Sequence, residues 1–441
     1  MKTGWLRPID NAALILFRIF FGLLLFLETV GAIFTGWVKA NFIDPEFTFS
    51  YIGMEWLQPL PGDWMYCYFA LMGLMGLFVM LGFKYRFSLG LFTILWTLSY
   101  WMQKSSYNNH YYLLILVCLS MLFLPANRDK SIDAKQHPSL QSTLMPQWCS
   151  WVLIAQISIV YFFAVLSKLY PGWLDGTFTR IMLQSSSFYN EFETLFSRHW
   201  FHLFLAWTGI AFDLLVVPLL LWRRTRTIAL LASAVFHLFN AIFLQIGIFP
   251  FFALSFVVFF YPPAKIRRWF FGKRNTVITA TPYSPQKFLL FWVFIPFFVI
   301  QLILPLRHYF IKGDVLWTEE GHRMSWRMML RQRAGNTNFK VVDMQTNQVL
   351  PYDYRSRLTA KQLAFVHSKP DGIWQMAQRI SAEFEQKGIA VAVYADSRVS
   401  VNEGPYQTFI DPAVDLAKAK WDPLYHNEWV LCYDRYGNLI P

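Results

Sequence analysis

The sequence predicts a polytopic α-helical membrane protein of about nine transmembrane helices, followed by a C-terminal extracytoplasmic, β-rich α+β domain. Three observations carry that expectation. Of the 441 residues 55% are hydrophobic and only 15% charged, the balance of a chain that lives largely in lipid. Apolar runs close to 20 residues long recur up to about residue 306, each able to cross roughly 30 Å of hydrocarbon. After about residue 308 the runs give way to alternating and short amphipathic stretches. The expected division is therefore 1–308 for the membrane domain, carrying the site, and 309–441 for the outer domain.

The candidate spans fall at about 12–36, 63–82, 87–103, 109–125, 148–169, 201–221, 228–247, 249–262 and 288–306. The eighth is short, and Gly247 and Pro250 predict a tight turn before it. The net charge of +12 is gathered in short clusters between the runs. If every candidate spans, Lys2/Arg7, Lys84/Arg86, Arg128/Lys130/Lys135, Arg223/Arg224/Arg226 and Lys265/Arg267/Arg268/Lys273/Arg274 all fall on one side. That side is cytoplasmic by the positive-inside rule, which leaves the N-terminus inside and the C-terminal domain outside. Clusters placed this way read as membrane topology, and no nucleic-acid partner is expected. The first run is long and no small-residue cleavage site follows it, so no signal peptide is expected. The four cysteines, Cys67, Cys118, Cys149 and Cys432, show no metal-ligand spacing, and no metal site is expected. Cys67 and Cys432 both map to the outer side, but nothing else links them, and no bridge is expected.

Beyond the last span, NFKVVDMQTNQVLPYD reads as a hairpin around Thr346-Asn347. LTAKQLAFV and GIWQMAQRISAEFEQ have helical spacing, IAVAVYADSRVSV and PYQTFIDP read as strands, and WVLCYDRYGNLIP reads as a terminal hairpin. An α+β or β-sandwich domain follows, without the usual catalytic motifs of soluble hydrolases, kinases or zinc proteases. Gly321–Arg333, GHRMSWRMMLRQR, sets a Met pair and four arginines at the outer membrane surface, which is either an interfacial belt or part of a site.

Few polar groups interrupt the spans. Arg18 and Glu28 lie in the first and Asp213 in the middle of the sixth; such charges pair or neutralise, and an Arg18–Asp213 pair is expected to hold helices together. Lys168 ends an apolar helix before Pro171-Gly172. It is either an anchor that snorkels to the headgroups or a desolvated amine that acts as a base. Tyr161, two turns earlier, shares its face. Asn109 and His110 open the fourth span at the same outer depth. His237 and Asn240 share a face of the seventh, and for His237 an interhelical hydrogen bond is the plain alternative to a role in a site.

Taken together and in order, several stretches resemble the vitamin K-dependent γ-glutamyl carboxylase family. They are Asp63-Trp64-Met65-Tyr66, Tyr85-Arg86, Asn108-Asn109-His110, Ile159–Phe162 with Lys168-Leu169 and Trp173, Phe236-His237 with Asn240, Ser325-Trp326 with Met328-Met329, and Phe409–Pro412 with Val414-Asp415. The resemblance runs from the first span to about Pro423. It implies carboxylation of protein glutamate with CO2, coupled to oxidation of reduced vitamin K (the hydroquinone) to its epoxide by O2, in a helical bundle topped by a lumenal β-rich domain. It places the family's catalytic lysine on Lys168 and its active-site histidine on His110. Asn109, Tyr161, Trp173, His237, Asn240, Met328, Met329, Arg331 and Arg333 are the candidates for holding quinone or substrate. The expected partners are the lipid bilayer, a membrane quinol and a glutamate-containing peptide or protein. Eukaryotic members carry a bridge between loop and lumenal domain whose two cysteines are not both placed here, and the first lumenal loop is short. That is the pattern of a compact bacterial member in the inner membrane.

The chemistry suits the residues. A glutamate Cγ–H is too weak an acid for any side chain, but a quinol hydroxyl resembles a phenol, near pH 10, and is within reach of a neutral lysine. The deprotonated quinol and O2 then supply the stronger base, in a site that must be dry. His110 and Asn109 could hold a quinone oxygen, and Arg331 or Arg333 a carboxylate. Two other readings stand beside this one: a quinol-dependent oxygenase or epoxidase with a non-protein substrate, and a transporter or scaffold. The last expects internal repeats or paired broken helices, and no convincing repeat is present.

Overall fold

The computed structural model describes residues 4–244, 246–272, 287–434 and 437–440. All nine apolar stretches are helical along most of their described residues. Six of these helices are long and apolar enough to cross a membrane: Ala12–Phe34, Trp64–Leu81, Trp148–Lys168, His199–Leu221, Arg226–Phe243 and Leu289–Phe310. Phe249–Phe260 with Pro263–Phe271, bent by 114°, would make a seventh. Asn109–Phe123 is apolar but has only 15 residues, and Tyr85–Met102 is diluted by Arg86 and its serines and threonines. The chain is thus a polytopic membrane protein with a C-terminal domain.

The first two long helices pack closely because glycines face the crossing. A Cβ on Gly22 would lie 2.3 Å from the Met80 nitrogen, and one on Gly76 would lie 2.7 Å from the Phe26 nitrogen. In lipid, where no hydrophobic force draws helices together, that approach supplies dispersion contact. At one end of the bundle strands β1 (Pro8–Asp10) and β2 (Leu144–Pro146) pair antiparallel. Arg267 clamps the same end, meeting Asp129 at 2.9 Å and the Asn11 side chain at 2.8 Å.

The expected Arg18–Asp213 pair does not form. Arg18 is fully buried and donates to the carbonyl oxygens of Ala126, at 3.2 Å, and Lys130, at 2.6 Å. The loop after Asn109–Phe123 brings backbone acceptors to the guanidinium, so it needs no carboxylate. Glu28 is met by the Tyr111 hydroxyl. Lys2, Lys273 and Arg274 of the basic clusters lie outside the described residues.

The C-terminal domain is built on one antiparallel sheet in the order β4-β3-β5-β6: β3 is Arg333–Asp343, β4 Val349–Leu350, β5 Val391–Val401 and β6 Gln407–Thr408. β3 and β5 pair along their whole length, from Arg333 opposite Val401 to Asp343 opposite Val391. The hairpin between β3 and β4 turns at Asn347, whose φ of +58° suits asparagine. Helices Ala360–Ser368, started by a Thr359/Gln362 capping box, and Pro370–Glu385 pack on the sheet. Val366, Ile373, Met376 and Ile380 meet Val341, Val393, Ala395 and Val399 in a common core. One sheet with helices packed on it makes the domain α+β and not a sandwich. The terminal hairpin is short: β7 (Cys432–Tyr433) pairs with β8 (Leu439–Ile440).

Bundle and domain are joined by buried polar contacts. Phe47 and Phe49, beyond the first helix, enter the domain's core. Gln362 donates to the Phe47 carbonyl at 2.6 Å and Gln375 to that of Ser50 at 2.9 Å. Asp371 meets Lys104 at 2.6 Å and Arg323 at 2.9 Å. Burial alone would raise the Asp371 carboxyl, but Arg323 and Lys104 outweigh it and hold it at about 2.

Candidate functional site

Trp148–Lys168, His199–Leu221, Arg226–Phe243 and the helix opening at Phe249 enclose a cavity of about 520 Å3. Its walls are mostly phenylalanine, leucine, valine and methionine, and its few polar groups are Lys168, Asp213, Tyr161, His237, Asn240, His110 and two threonines. Lys168 ends its helix because Pro171 starts a new short turn two residues after Leu169. Its ammonium pairs with Asp213 and lies 5.2 Å over the Trp173 ring. Trp173 is fixed by its own N–H, which donates to the Ala206 carbonyl at 3.1 Å. Both members of the ion pair are shielded, with side-chain exposures of 12% and 5%. Ions taken this far out of water depend on each other.

A second polar pair lies on the same wall. The Tyr161 hydroxyl is 3.0 Å from His237 Nε2, while His237 Nδ1 has no hydrogen-bond partner among the described residues. The helix Asn109–Phe123 presents His110, whose ring stacks on Phe249 with centroids 4.0 Å apart. Asn108 caps that helix by accepting from the Tyr111 N–H at 2.8 Å.

The cavity is closed on one side by the segment after the last long helix. Met324, Trp326 and Met329 have φ of +58°, +56° and +49°, conformations that cost non-glycine residues about 1–3 kcal/mol each. The segment is held there by contacts from the bundle. The Met324 N–H donates to the Tyr107 hydroxyl at 2.7 Å, the Asn109 amide donates to the Arg327 carbonyl at 3.2 Å, and the Tyr170 hydroxyl donates to the Leu330 carbonyl. Trp326 is fully buried against Tyr112. These ties press Met328 and Met329 into the wall of the cavity. A second hollow of about 300 Å3 shares Met182, Leu244 and Met329 with it and is lined by Ser185, Ser186, Ser187, Arg331 and Gln332.

The HTTM domain model matches residues 6–264, and the model of the vitamin K-dependent gamma-carboxylase lumenal domain matches residues 286–435. The chain belongs to the vitamin K-dependent gamma-carboxylase family. No solved structure matches it.

In this gamma-carboxylase-family protein the sequence candidates divide in two. Lys168, His110, Tyr161, Trp173, His237, Asn240, Met328 and Met329 line the one cavity. Asn109, Arg331 and Arg333 do not. Asn109 accepts from Tyr107 at 2.9 Å and donates to Arg327, serving the closing segment. Arg331 is held through two of its nitrogens by Glu319 and borders the second hollow. Arg333 donates to the carbonyls of Leu316, Trp317 and Ser368. The residue that sequence reasoning assigned elsewhere is Asp213. Its signal was its position in an apolar helix, which demands a cation; the choice between Arg18 and Lys168 needed the packing.

Proposed function

We propose that the protein is an integral-membrane vitamin K-dependent gamma-glutamyl carboxylase, converting vitamin K hydroquinone to its epoxide and using that oxidation to carboxylate glutamate with O2 and CO2. The observation that carries this reading is the Lys168–Asp213 pair set in an apolar cavity beside the Tyr161–His237 pair and His110. The residues fit a quinol: the walls suit an apolar ring, and the polar groups offer both proton acceptors and donors to its oxygens. When bound, the hydroquinone supplies the electrons that reduce O2 and, through its oxidation, the base strong enough for a glutamate Cγ–H.

The chain's own part is proton handling, orientation and exclusion of water. A proton passed from Lys168 Nζ to the Asp213 carboxylate leaves the amine lone pair free for a quinol hydroxyl proton. The pair as a unit then holds one proton more than before, with its charge steadied by the Trp173 face. His110 and the Tyr161–His237 pair orient the ring oxygens. Met328 and Met329 exclude water, which would quench a strong base. The hollow lined by Ser185, Ser186 and Gln332 offers hydrogen-bonding side chains to a polar substrate group beside the cavity, while Arg331 at its edge stays paired with Glu319. We further propose that residues 1–308 form the membrane domain with its N-terminus cytoplasmic, and that residues 309–441 lie outside, as the basic clusters suggest. Cysteine-accessibility labelling within 340–430 would reverse that orientation if reaction needed access to the cytoplasmic side.

The decisive assay is turnover of vitamin K hydroquinone by the purified protein, with and without a glutamate-containing peptide. Epoxide formation coupled to carboxylated peptide is the expected result. Epoxide alone, unaffected by any such peptide, would favour a quinol-dependent oxygenase with another substrate, and no epoxide at all would remove the enzymatic reading and leave the transporter or scaffold.

A further inference from the structure

A second cluster of reactive side chains lies in the C-terminal part, away from the membrane cavity. Glu320 is buried, and its carboxylate is fully engaged: Oε1 accepts from the Asn427 N–H at 2.9 Å and from the Asn427 side chain at 2.8 Å, and Oε2 lies 2.6 Å from His426 Nδ1. This fixes the imidazole so that Nε2 faces Cys432 Sγ at 3.7 Å. The sulfur has room there because Gly313 carries no side chain; a Cβ at Gly313 would come within 2.6 Å of it. Acid, imidazole and thiol therefore stand in line, as they do where a thiol is activated as a nucleophile. The neighbouring sulfur, with Glu320, pushes His426 up to about 10, so a proton that Nε2 takes from the sulfur is held there as an imidazolium beside the thiolate until it is given away.

Cys432 itself is 2% exposed, but it sits on an easily opened element. β7 and β8 are two-residue strands paired at two positions, and Leu439 and Ile440 are both exposed on the outer strand. A hairpin this short, at the edge of its domain, opens locally at small cost and admits small molecules to the sulfur.

We propose that Cys432, His426 and Glu320 form a thiol site that reacts with small hydroperoxides to give a sulfenic acid at Cys432. The Sγ proton passes to His426 Nε2, and the sulfur attacks the terminal oxygen of R′OOH. An S–O bond forms as the O–O bond breaks, and the departing oxygen takes the proton from Nε2 and leaves as R′OH. The thiol gives up two electrons and the peroxide gains two: RSH + R′OOH → RSOH + R′OH. Glu320 is a positioning residue that keeps Nε2 turned to the sulfur. The site is independent of the cavity at Lys168 and of any quinol chemistry there.

The test uses the full-length protein in detergent, with hydrogen peroxide as oxidant, dimedone to trap sulfenic acid, and mass spectrometry at each cysteine. Cys67, Cys118 and Cys149 are internal references, of which Cys67 is exposed. Cys432 should label at least about tenfold faster than Cys67, and His426→Gln should slow it about 100-fold in protein that still folds, as loss of an acid–base group requires. Glu320→Asp should retain more of the rate than Glu320→Gln. Labelling of Cys432 no faster than that of Cys67 in the unaltered protein would overturn the proposal, whether or not the variants fold. So would a folded His426→Gln protein that labels at the original rate.

Discussion

Two regions of this protein bury ions, and they do so differently. In the cavity one ammonium, Lys168, faces one carboxylate, Asp213, with open space beside them. At the junction with the C-terminal domain the carboxylates are surrounded. Asp371 faces Lys104 and Arg323, and Glu319 faces Arg331, Lys369 at 2.9 Å and Arg333 at 3.6 Å. Burial alone would raise Glu319, but Arg331 and its neighbours hold it well below the usual range, while burial takes Lys369 down to about 7 despite Glu319. Carboxylates surrounded by several cations serve as mortar between parts of a fold, even where one of those cations, Arg331, borders a hollow. A single pair beside unfilled space can exchange a proton with something that enters. A single ammonium facing a single carboxylate beside open space is what supports the proposal that the chemistry takes place in the cavity.

The largest effect expected from this contrast is on activity at the cavity. Lys168→Ala should lose epoxidation and carboxylation together, by about 10²–10⁴-fold, because both follow from one proton removal. A small added amine should restore part of both, and more of each as rising pH makes the amine neutral. Loss of carboxylation with epoxidation intact would separate the steps and remove the lysine from the first.

At the junction the effect should fall on stability. Asp371→Asn leaves Lys104 and Arg323 buried without their carboxylate and should cost about 3–5 kcal/mol, read by thermal unfolding. A variant as stable as the parent would show that water reaches the cluster. The same group predicts a pH dependence. Its folded value of about 2 lies below the ordinary 3.8, so the stability it supplies is complete above the ordinary value and is lost as pH falls towards 2. The loss should be about 2 kcal/mol and absent in Asp371→Asn.

The smallest effect concerns His110. His110→Ala should weaken epoxidation about tenfold, near 1.4 kcal/mol, with the fold intact. Full turnover would reduce His110 to a ring stacked on Phe249.

Much of this arrangement was legible in the sequence because lipid imposes simple rules. Apolar length located the helices, and the rarity of polar groups within them brought Lys168, His110, Tyr161, His237 and Asn240 forward; all five line the cavity. The partner of Asp213 was not legible, since helix contacts decide which of two cations meets it and which, like Arg18, is satisfied by backbone carbonyls. Arg331 and Arg333 lie off the cavity for a related reason. An arginine that will grip a substrate and one that ties a loop to a buried glutamate look alike until Glu319, itself at a φ of +64°, is placed between them. In the C-terminal domain alternation located the long strands, whereas the line of Glu320, His426 and Cys432 joins residues more than a hundred positions apart and left no local pattern.

The central claim is that Lys168 acts as a base and not as an anchor, and Lys168→Arg tests it most directly. An arginine can still pair with Asp213 and still reach an interface, but its guanidinium stays protonated. Epoxidation of vitamin K hydroquinone by the folded variant should fall to the level of Lys168→Ala. A folded Lys168→Arg protein that turns over at the parent rate would contradict the account.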